Sequence, residues 1–582
     1  MNRLTGTILW NRTNETTVAE DTKFSHSHLE LVAERTNVFA FDEAGYHYNA
    51  ATGVLVSIMG YVTNIYDLRD RYGIDSSRDV EIVERLYSTV ADRSIMALLD
   101  VMDGVFFVLV YDDPQERAHL AQSEFGCPLP VYYTNTPEGL VFSTSMKLLL
   151  QKTGIKRRFH RPAVKDFMSY GEIVSDENTI VEGVKKLVTQ RNLIVDVPSR
   201  KMRYESFRGR DGGVTREEAE ARLIYSVGNT VTKLSRQLRS HDRFLTLTAG
   251  WDSNLILSFL YGDGAPRINA VTINGGGTTN EVPSVEHVLR FYSSDRVKHL
   301  TETMDSSLFD FMPNVVWIYE GYMVQCGMLL RYALARLIGG AGGNAVFLGS
   351  GADPILNTEM GPGGNRVYEP YADTVSLGSL SEVKRTVRNM CKSGLIGDLY
   401  FAVKGETGEQ WMRRKSLRAG FRERYNTQID YNMKMHELML NSFGIQGLYP
   451  FMNRDTAQCA RPLRPWNDSK SLYKEKAREY LGPDISRVLK KSGSVVDTES
   501  LFDANRHWFA EMTSGEFIRE VLTPRQVSRI RANPADYPSS LLRVLYLCLF
   551  ERLILSGDFD DQFGKAHVAA SLAAVFGQRT WS

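Results

Sequence analysis

Apolar and polar residues follow two rhythms, and the change falls near residue 210. Before it the apolar residues come in short β-type runs, Val54–Met59, Val105–Tyr111 and Leu140–Ser143, with few helical patterns between them. One such helix is predicted over Val80–Tyr87, where Val80, Val83 and Leu86 recur at helical spacing. Polar-apolar mixtures over Phe159–Gly171 and Val181–Val188 finish this part. Asp211-Gly212-Gly213 then breaks the chain, and Thr215 with Glu218 forms a capping box that starts a long helix. After the break, strands and helices alternate, which predicts a parallel sheet. Its strands are Phe244–Leu247, Ile268–Ile273 and Ala345–Leu348, with a helix predicted over Glu320–Leu337. From about residue 380 the pattern is mainly helical. Leu541–Leu555, which follows Pro538-Ser539-Ser540, is the clearest buried helix.

Two strands of the second part run straight into turns of small residues. Thr248-Ala249-Gly250-Trp251-Asp252-Ser253 follows the first, and a helix with Leu255, Ile256 and Phe259 on one face comes next. Small residues let backbone N–H groups and hydroxyls close around an anion, and the helix points its positive end at the same place. That is a phosphate cradle at the carboxyl end of a strand, where open α/β sheets bind ligands. The turn lacks the Gly-Lys-Ser/Thr ending of a Walker loop and the three glycines of a dinucleotide fingerprint. It resembles the SGG-x-DS pyrophosphate loop of the ATP pyrophosphatase families, with Thr248-Ala249-Gly250 in place of Ser-Gly-Gly. The second turn is Gly349-Ser350-Gly351-Ala352-Asp353-Pro354. Together the two turns could hold one ATP.

Composition narrows the class. A chain of 582 residues divides into two or more domains. With 43% hydrophobic and 24% charged residues it reads as an ordinary soluble globular protein. Its net charge of zero gives no electrostatic reason to expect nucleic acid or an anionic membrane as partner. Cys127, Cys326, Cys391, Cys459 and Cys548 are odd in number and lack metal-ligand spacing, which fits a reducing compartment. No run reaches the length of a membrane span, and the apolar core of the N-terminus is too short for a signal peptide. A cytoplasmic location is the expectation.

The order of features resembles the asparagine synthetase family along nearly the whole chain. Gly60-Tyr61-Val62-Thr63-Asn64-Ile65-Tyr66-Asp67-Leu68-Arg69 is similar to that family's G-x-I-Y-N-x-x-x-L-R segment. Leu99–Phe106 resembles its L-D-G-M-F segment, and Phe125-Gly126 followed by Val131-Tyr132-Tyr133 its F-G-x-K-P-L-Y-Y segment. Leu140–Ser145 matches the strand before its K-x-L-L helix. Leu348–Asp353 resembles S-G-E-G-A-D, Tyr449-Pro450-Phe451-Met452 resembles P-F-L-D, and Lys490-Lys491-Ser492-Gly493 resembles the lysine loop near the C-terminus. The resemblance implies an α/β protein overall. Residues 1–210 would form an α+β sandwich like that of the Ntn hydrolases, a glutamine amidotransferase type 2-like domain. Residues 211–582 would form an α/β parallel-sheet ATP-pyrophosphatase domain, adenine nucleotide alpha hydrolase-like, with a helical C-terminal part.

The departures from the family pattern are informative. A working glutaminase of this type needs a cysteine directly after the initiator Met, and here that place is Asn2, which offers no nucleophile. The oxyanion-hole asparagine is replaced by Met59, whose thioether donates no hydrogen bond. Tyr61 follows the matched glycine, and Asp79 keeps the place that would hold the α-amine of glutamine. The N-terminal domain therefore reads as a degenerate glutaminase with a structural role.

In the second domain the resemblance implies an ATP site. Asp252 and Asp353 would hold Mg²⁺ against the triphosphate. Thr248, Gly250 and Ser253 would wrap the pyrophosphate, with Thr272, Gly349 and Gly351 completing the nucleotide-binding set. Lys491 would stabilise the charged transition state, with Lys490 as the alternative one residue away. Ser350 takes the place of the glutamate that faces the amine in asparagine synthetase. A serine hydroxyl is a poor base on its own, and Tyr319, Glu320 and Tyr322 are the other candidates for that role.

The expected reaction is ATP-dependent amide formation through an acyl-adenylate, with AMP and pyrophosphate released and no glutamine hydrolysed. Two subfamilies fit. In the first, carboxylate and amine belong to one molecule, as in lasso peptide cyclases and β-lactam synthetases; in the second, free ammonia or another small amine is used, as in an asparagine synthetase. The cyclase reading implies a small-molecule or peptide carboxylate as substrate and a precursor peptide or biosynthetic protein as partner. A reading of another class stays beside these: an adenylate-binding pseudoenzyme or scaffold.

Overall fold

Two antiparallel sheets packed face to face build the first part of the chain. The structure is a computed structural model, and it describes residues 3–11, 18–20, 23–34, 45–170, 173, 177–206, 214–238, 240, 242–275, 280–322, 327–356, 433–463, 469–489, 505, 524, 528 and 538–556. In chain order the strands of the two sheets are β1 (Arg3–Leu9), β2 (Val18–Glu20), β3 (Lys23–His26), β4 (Leu29–Glu34), β5 (Tyr46–Asn49), β6 (Val54–Val62), β7 (Gly104–Asp112), β8 (Arg117–Gln122), β9 (Tyr132–Asn135), β10 (Gly139–Ser143), β11 (Lys185–Lys186), β12 (Arg191–Asp196) and β13 (Lys201–Ser206). One sheet runs β11-β9-β10-β1-β4-β3-β2 and the other β13-β12-β8-β7-β6-β5.

The pleat sorts the residues of β6 between two cores. Leu55, Met59 and Tyr61 point into the core between the sheets, and Val54, Val56, Ile58 and Val62 point to the outer face. That outer face is covered by helices Asp79–Arg85 and Ile95–Val101, through Val80, Val83, Ile95 and Leu98 among others. A strand covered on both faces reads as a continuous apolar run, which is why β6 was legible in the sequence.

The second part is a five-stranded parallel sheet. Its strands are β14 (Asp242–Thr246), β15 (Arg267–Asn274), β16 (Val297–Thr303), β17 (Ala345–Phe347) and β18 (Gln446–Leu448), in the order β16-β15-β14-β17-β18. Register places Phe244 beside Asn269 on one side and beside Val346 on the other, and Val346 beside Gly447. From β14 the chain winds outward through β15 to β16, and then returns to place β17 on the opposite side of β14. The crevice past the carboxyl ends of β14 and β17 is therefore the topological switch point of the sheet. The helix Arg216–Gln237 leads into this sheet. Its Thr215 hydroxyl accepts from the Glu218 N–H at 3.2 Å, and the Thr215 N–H donates to the Glu218 carboxylate at 3.0 Å.

Two features differ from the sequence expectation. Strands β16 and β18 carry too little apolar periodicity to be read; β16 is only part-buried along most of its length. The helix expected over Glu320–Leu337 is not one helix. Helix Met312–Tyr319 ends at Glu320, with φ 50°, and Gly321, with φ 80°, and a new helix spans Gly327–Gly340. The first helix stops because Glu320 and Gly321 both take the left-handed conformation, through which a right-handed helix does not continue.

The two parts are joined by a polar seam. The Tyr449 N–H donates to the Tyr61 hydroxyl at 2.9 Å, and the Gln237 amide donates to the Thr63 carbonyl at 2.9 Å. The Arg454 guanidinium donates to the carbonyls of Leu99, Asp100 and Met102 at 3.1, 2.6 and 2.9 Å. Its backbone N–H meets the buried Asp103 carboxylate at 3.1 Å; burial raises that carboxyl to about 6 against the opposing pull of Arg454. Among the described residues no helix is long and apolar enough to cross a membrane.

Candidate active site

The loop after β14 is held open by its own side chains. The Thr248 N–H donates to the Ser253 hydroxyl at 3.2 Å, and the Gly250 N–H to the Thr248 hydroxyl at 3.1 Å. The Asn254 amide, fully buried, donates to the carbonyls of Thr248 and Gly250 at 2.9 and 2.6 Å. The turn is thus braced by hydrogen bonds within itself, through the Thr248 and Ser253 hydroxyls and the Asn254 amide. Gly250 caps helix Trp251–Gly262 without a side-chain hydrogen bond, so the positive end of the helix stays open to an anion. The Thr272 hydroxyl donates to the Leu247 carbonyl at 2.8 Å and lies 2.9 Å from His299 Nε2. Thr272 thus holds the strand end from which the loop starts.

The second turn lies against the first. A β-carbon placed on Gly349 would come within 3.2 Å of Asp252 Cβ and 3.3 Å of the Ser253 nitrogen. A side chain at this position would be tight and would make one of the two turns give by a few tenths of an ångström. Gly351, at φ 95°, takes the left-handed conformation that turns the chain into the short helix Ala352–Leu356, which carries Asp353 in its first turn. The buried phenol of Tyr473, from helix Ser469–Val488, reports on both carboxylates. Burial, then the charge of Asp252, with that of Asp353 adding to it, hold it well above the ordinary tyrosine value. Asp252 and Asp353 thus both lie within electrostatic reach of the Tyr473 hydroxyl.

Among the described residues no three His, Cys, Asp or Glu side chains form a complete metal cage. Two neighbouring carboxylates beside a phosphate cradle fit Mg²⁺, which keeps waters and substrate phosphates in its shell and takes only one or two carboxylates from the protein.

Ser350 is held from a distant part of the chain. Its Oγ lies 3.3 Å from Nε2 of His436, in the helical segment 433–442. Burial, and then the charge of Arg331, hold the imidazole well below its ordinary pKa, so it is neutral. Next to it, Glu437 accepts from the Tyr449 hydroxyl at 2.8 Å and from the Gln446 amide at 3.2 Å, and burial raises its carboxyl to about 8.

The other candidates for the base are placed otherwise. Glu320 turns toward the N-terminal sheets, where it accepts from the Ser145 hydroxyl at 2.7 Å and the Met146 N–H, and pairs with Lys147 at 2.7 Å. It ties the two parts of the chain together. The Tyr319 hydroxyl donates to the Met435 carbonyl at 2.7 Å, and burial pushes it up to about 12. The buried ring of Tyr322 has Lys186 at 5.0 Å and Lys434 at 5.8 Å from its centre. Lys490 and Lys491 lie outside the described residues, as does Asn2.

Met59 lies in the core between the two antiparallel sheets, paired with Phe107 across β7. The helix that Asp79 begins packs on the opposite face of that sheet. The residues that sequence reasoning missed are His436, Arg331, Asn254 and Tyr473. Only Asn254, directly after the Asp-Ser pair of the loop, had a local signal.

Residues 234–548 match the family model described as asparagine synthase, and residues 19–207 match the model of a glutamine amidotransferase domain. Among solved structures, a glutamine phosphoribosylpyrophosphate amidotransferase from B. subtilis, complexed with ADP and GMP, is similar over 52% of this chain and 85% of its own. The identity is 10% and the TM-score 0.26. No curated protein matches the chain.

Proposed function

The chain belongs to the asparagine synthase family of ATP-dependent amide ligases, and on that premise we propose that it activates a carboxylate as an acyl-adenylate and releases AMP and pyrophosphate. The observation that carries this reading is the contact between the two turns at the switch point, Gly349 against Asp252 and Ser253. The open N-terminal end of helix Trp251–Gly262 binds the pyrophosphate portion of ATP, with the Ser253 hydroxyl beside it. Asp252 and Asp353 are the residues that would hold Mg²⁺, and the ion would supply neutralisation of the charge on the phosphates. The carboxylate oxygen attacks the α-phosphorus, and pyrophosphate leaves toward the cradle. An amine then attacks the acyl carbon and AMP leaves. Lys491, carried over from the family's C-terminal lysine loop, supplies charge to the first transition state, with Lys490 as its neighbour in the register.

The amine is not drawn from glutamine. Asn2 offers no thiolate, and the Met59 thioether, buried in the sandwich core, donates nothing to an oxyanion. The proposed product is an amide within one molecule, as in a lasso peptide or lactam cyclisation; free ammonia as the amine would use the same ATP site. Assay pyrophosphate release from Mg·ATP against a panel of amino acids and carboxyl-bearing peptides, with glutamate release from glutamine measured in parallel. Carboxylate-dependent pyrophosphate without glutamate supports the proposal. Clear glutamate release would end the degenerate-glutaminase reading, and pyrophosphate release from no carboxylate would favour a pseudoenzyme.

A further inference from the structure

Amide formation releases a proton from the attacking nitrogen, and the crevice has to accept it. Asp252 and Asp353 are committed to the metal and phosphate side of the site, and Glu320 is committed to Lys147. Ser350 stands in the second turn, one residue from the Gly349 contact, and its hydroxyl is too weak a base to act alone. Behind it is His436, whose Nε2 lies 3.3 Å from the Ser350 oxygen. Nδ1 of the same ring is buried with no hydrogen-bond partner among the described residues. The segment that carries His436 is anchored through Glu437, which accepts from Gln446 at the start of β18 and from Tyr449 just past it. The imidazole is therefore positioned by the sheet itself.

From this geometry we propose that Ser350 and His436 act as a pair that accepts the proton of the amine, Ser350 at the substrate and His436 as the positioning residue behind it. The inference rests on the ligase reading above. As the nitrogen lone pair forms the C–N bond, the bond from the acyl carbon to the adenylate oxygen breaks and AMP leaves with its electron pair. The nitrogen proton passes to Ser350 Oγ while the serine's own proton passes to His436 Nε2, which becomes imidazolium and later returns the proton to solvent. Burial and Arg331 keep the free imidazole neutral, and so ready to accept. A nitrogen that has begun to bond to the acyl carbon is strongly acidic, so an imidazole of low basicity still takes its proton. Arg331, whose Nε is buried without a hydrogen-bond partner among the described residues, carries the charge that adds to burial in keeping the imidazole neutral.

The test separates the two half-reactions. Use the carboxylate that passes the pyrophosphate assay, and compare the full-length protein with His436→Gln, His436→Ala and Ser350→Ala. Hydroxylamine is the probe amine; it captures an acyl-adenylate at neutral pH without help from a base. In His436→Gln, formation of the native amide should fall about 10²-fold, and capture by hydroxylamine far less. Added imidazole should partly restore amide formation in His436→Ala and not in Ser350→Ala. Equal loss of amide and hydroxamate, unchanged amide formation, or no recovery with imidazole would each overturn the pair. Failure of the ligase reading looks different: the wild type itself would give neither pyrophosphate exchange nor hydroxamate, and the inference would fall with it.

Discussion

Gly349 faces Asp252 across the switch point, close enough that a β-carbon on the glycine would sit 3.2 Å from Asp252 Cβ. The contact sets the spacing of the two turns, and so the spacing of Asp252 and Asp353. Gly349→Val is predicted to push the turns apart and to slow adenylation by about 10²-fold, the usual consequence of a misplacement on the order of 1 Å. Both turns are loops past strand ends, so the melting temperature should move little. Normal pyrophosphate exchange in Gly349→Val would mean that the contact does not shape the site.

Asp252→Ala and Asp353→Ala remove the carboxylates proposed for the metal. Each is predicted to lower the rate of carboxylate-dependent pyrophosphate exchange by about 10²–10³-fold. Circular dichroism and thermal melting should show both variants folded. Wild-type rates in both variants would move the ATP site elsewhere.

Much of this site could be read from the sequence, and the reason is local. Thr248–Ser253 and Gly349–Asp353 each follow an apolar strand, and the small residues that make them turns also make them visible. Met59 and Tyr61 stood out because a family pattern expects other chemistry there. His436 had no such signal. It lies 86 positions beyond Ser350 in the chain, and its place there depends on β18, three residues long, joining the sheet edge. Glu320 was considered as a base because it stands near the site in sequence; the turn at Glu320 and Gly321 sends its side chain to Lys147 instead. Tyr473 likewise reaches Asp252 only through tertiary packing.

The placement of Glu320 gives a prediction of its own. Glu320 is 5% exposed and holds the charge of Lys147, which also lies 4.2 Å from the centre of the Trp317 ring. Glu320→Ala leaves that ammonium without its counter-charge. Removing one partner of a buried ion pair costs about 3–5 kcal/mol, so unfolding should shift to clearly lower denaturant. The partition between amide and hydroxamate should stay as in the wild type. A changed partition with full stability would return Glu320 to the list of candidate bases.

Glu437 links stability to pH. Burial raises its carboxyl from 4.5 to about 8 in the folded state. Between those values the native protein holds a proton that the unfolded chain has lost. The contribution of Glu437 is therefore fully present below the unfolded value and is lost as pH rises through about 8. Glu437→Gln, which cannot ionise, should flatten this part of the profile. Urea midpoints of the two proteins across the window check it, and parallel profiles would show that Glu437 does not carry the dependence.

The central claim is that the carboxylate attacks the α-phosphorus of ATP. Labelling the activating carboxylate with heavy oxygen and analysing the products by mass spectrometry follows that bond directly. The account predicts one labelled oxygen in AMP and none in pyrophosphate. Label in orthophosphate, with ADP as the nucleotide product, would contradict it.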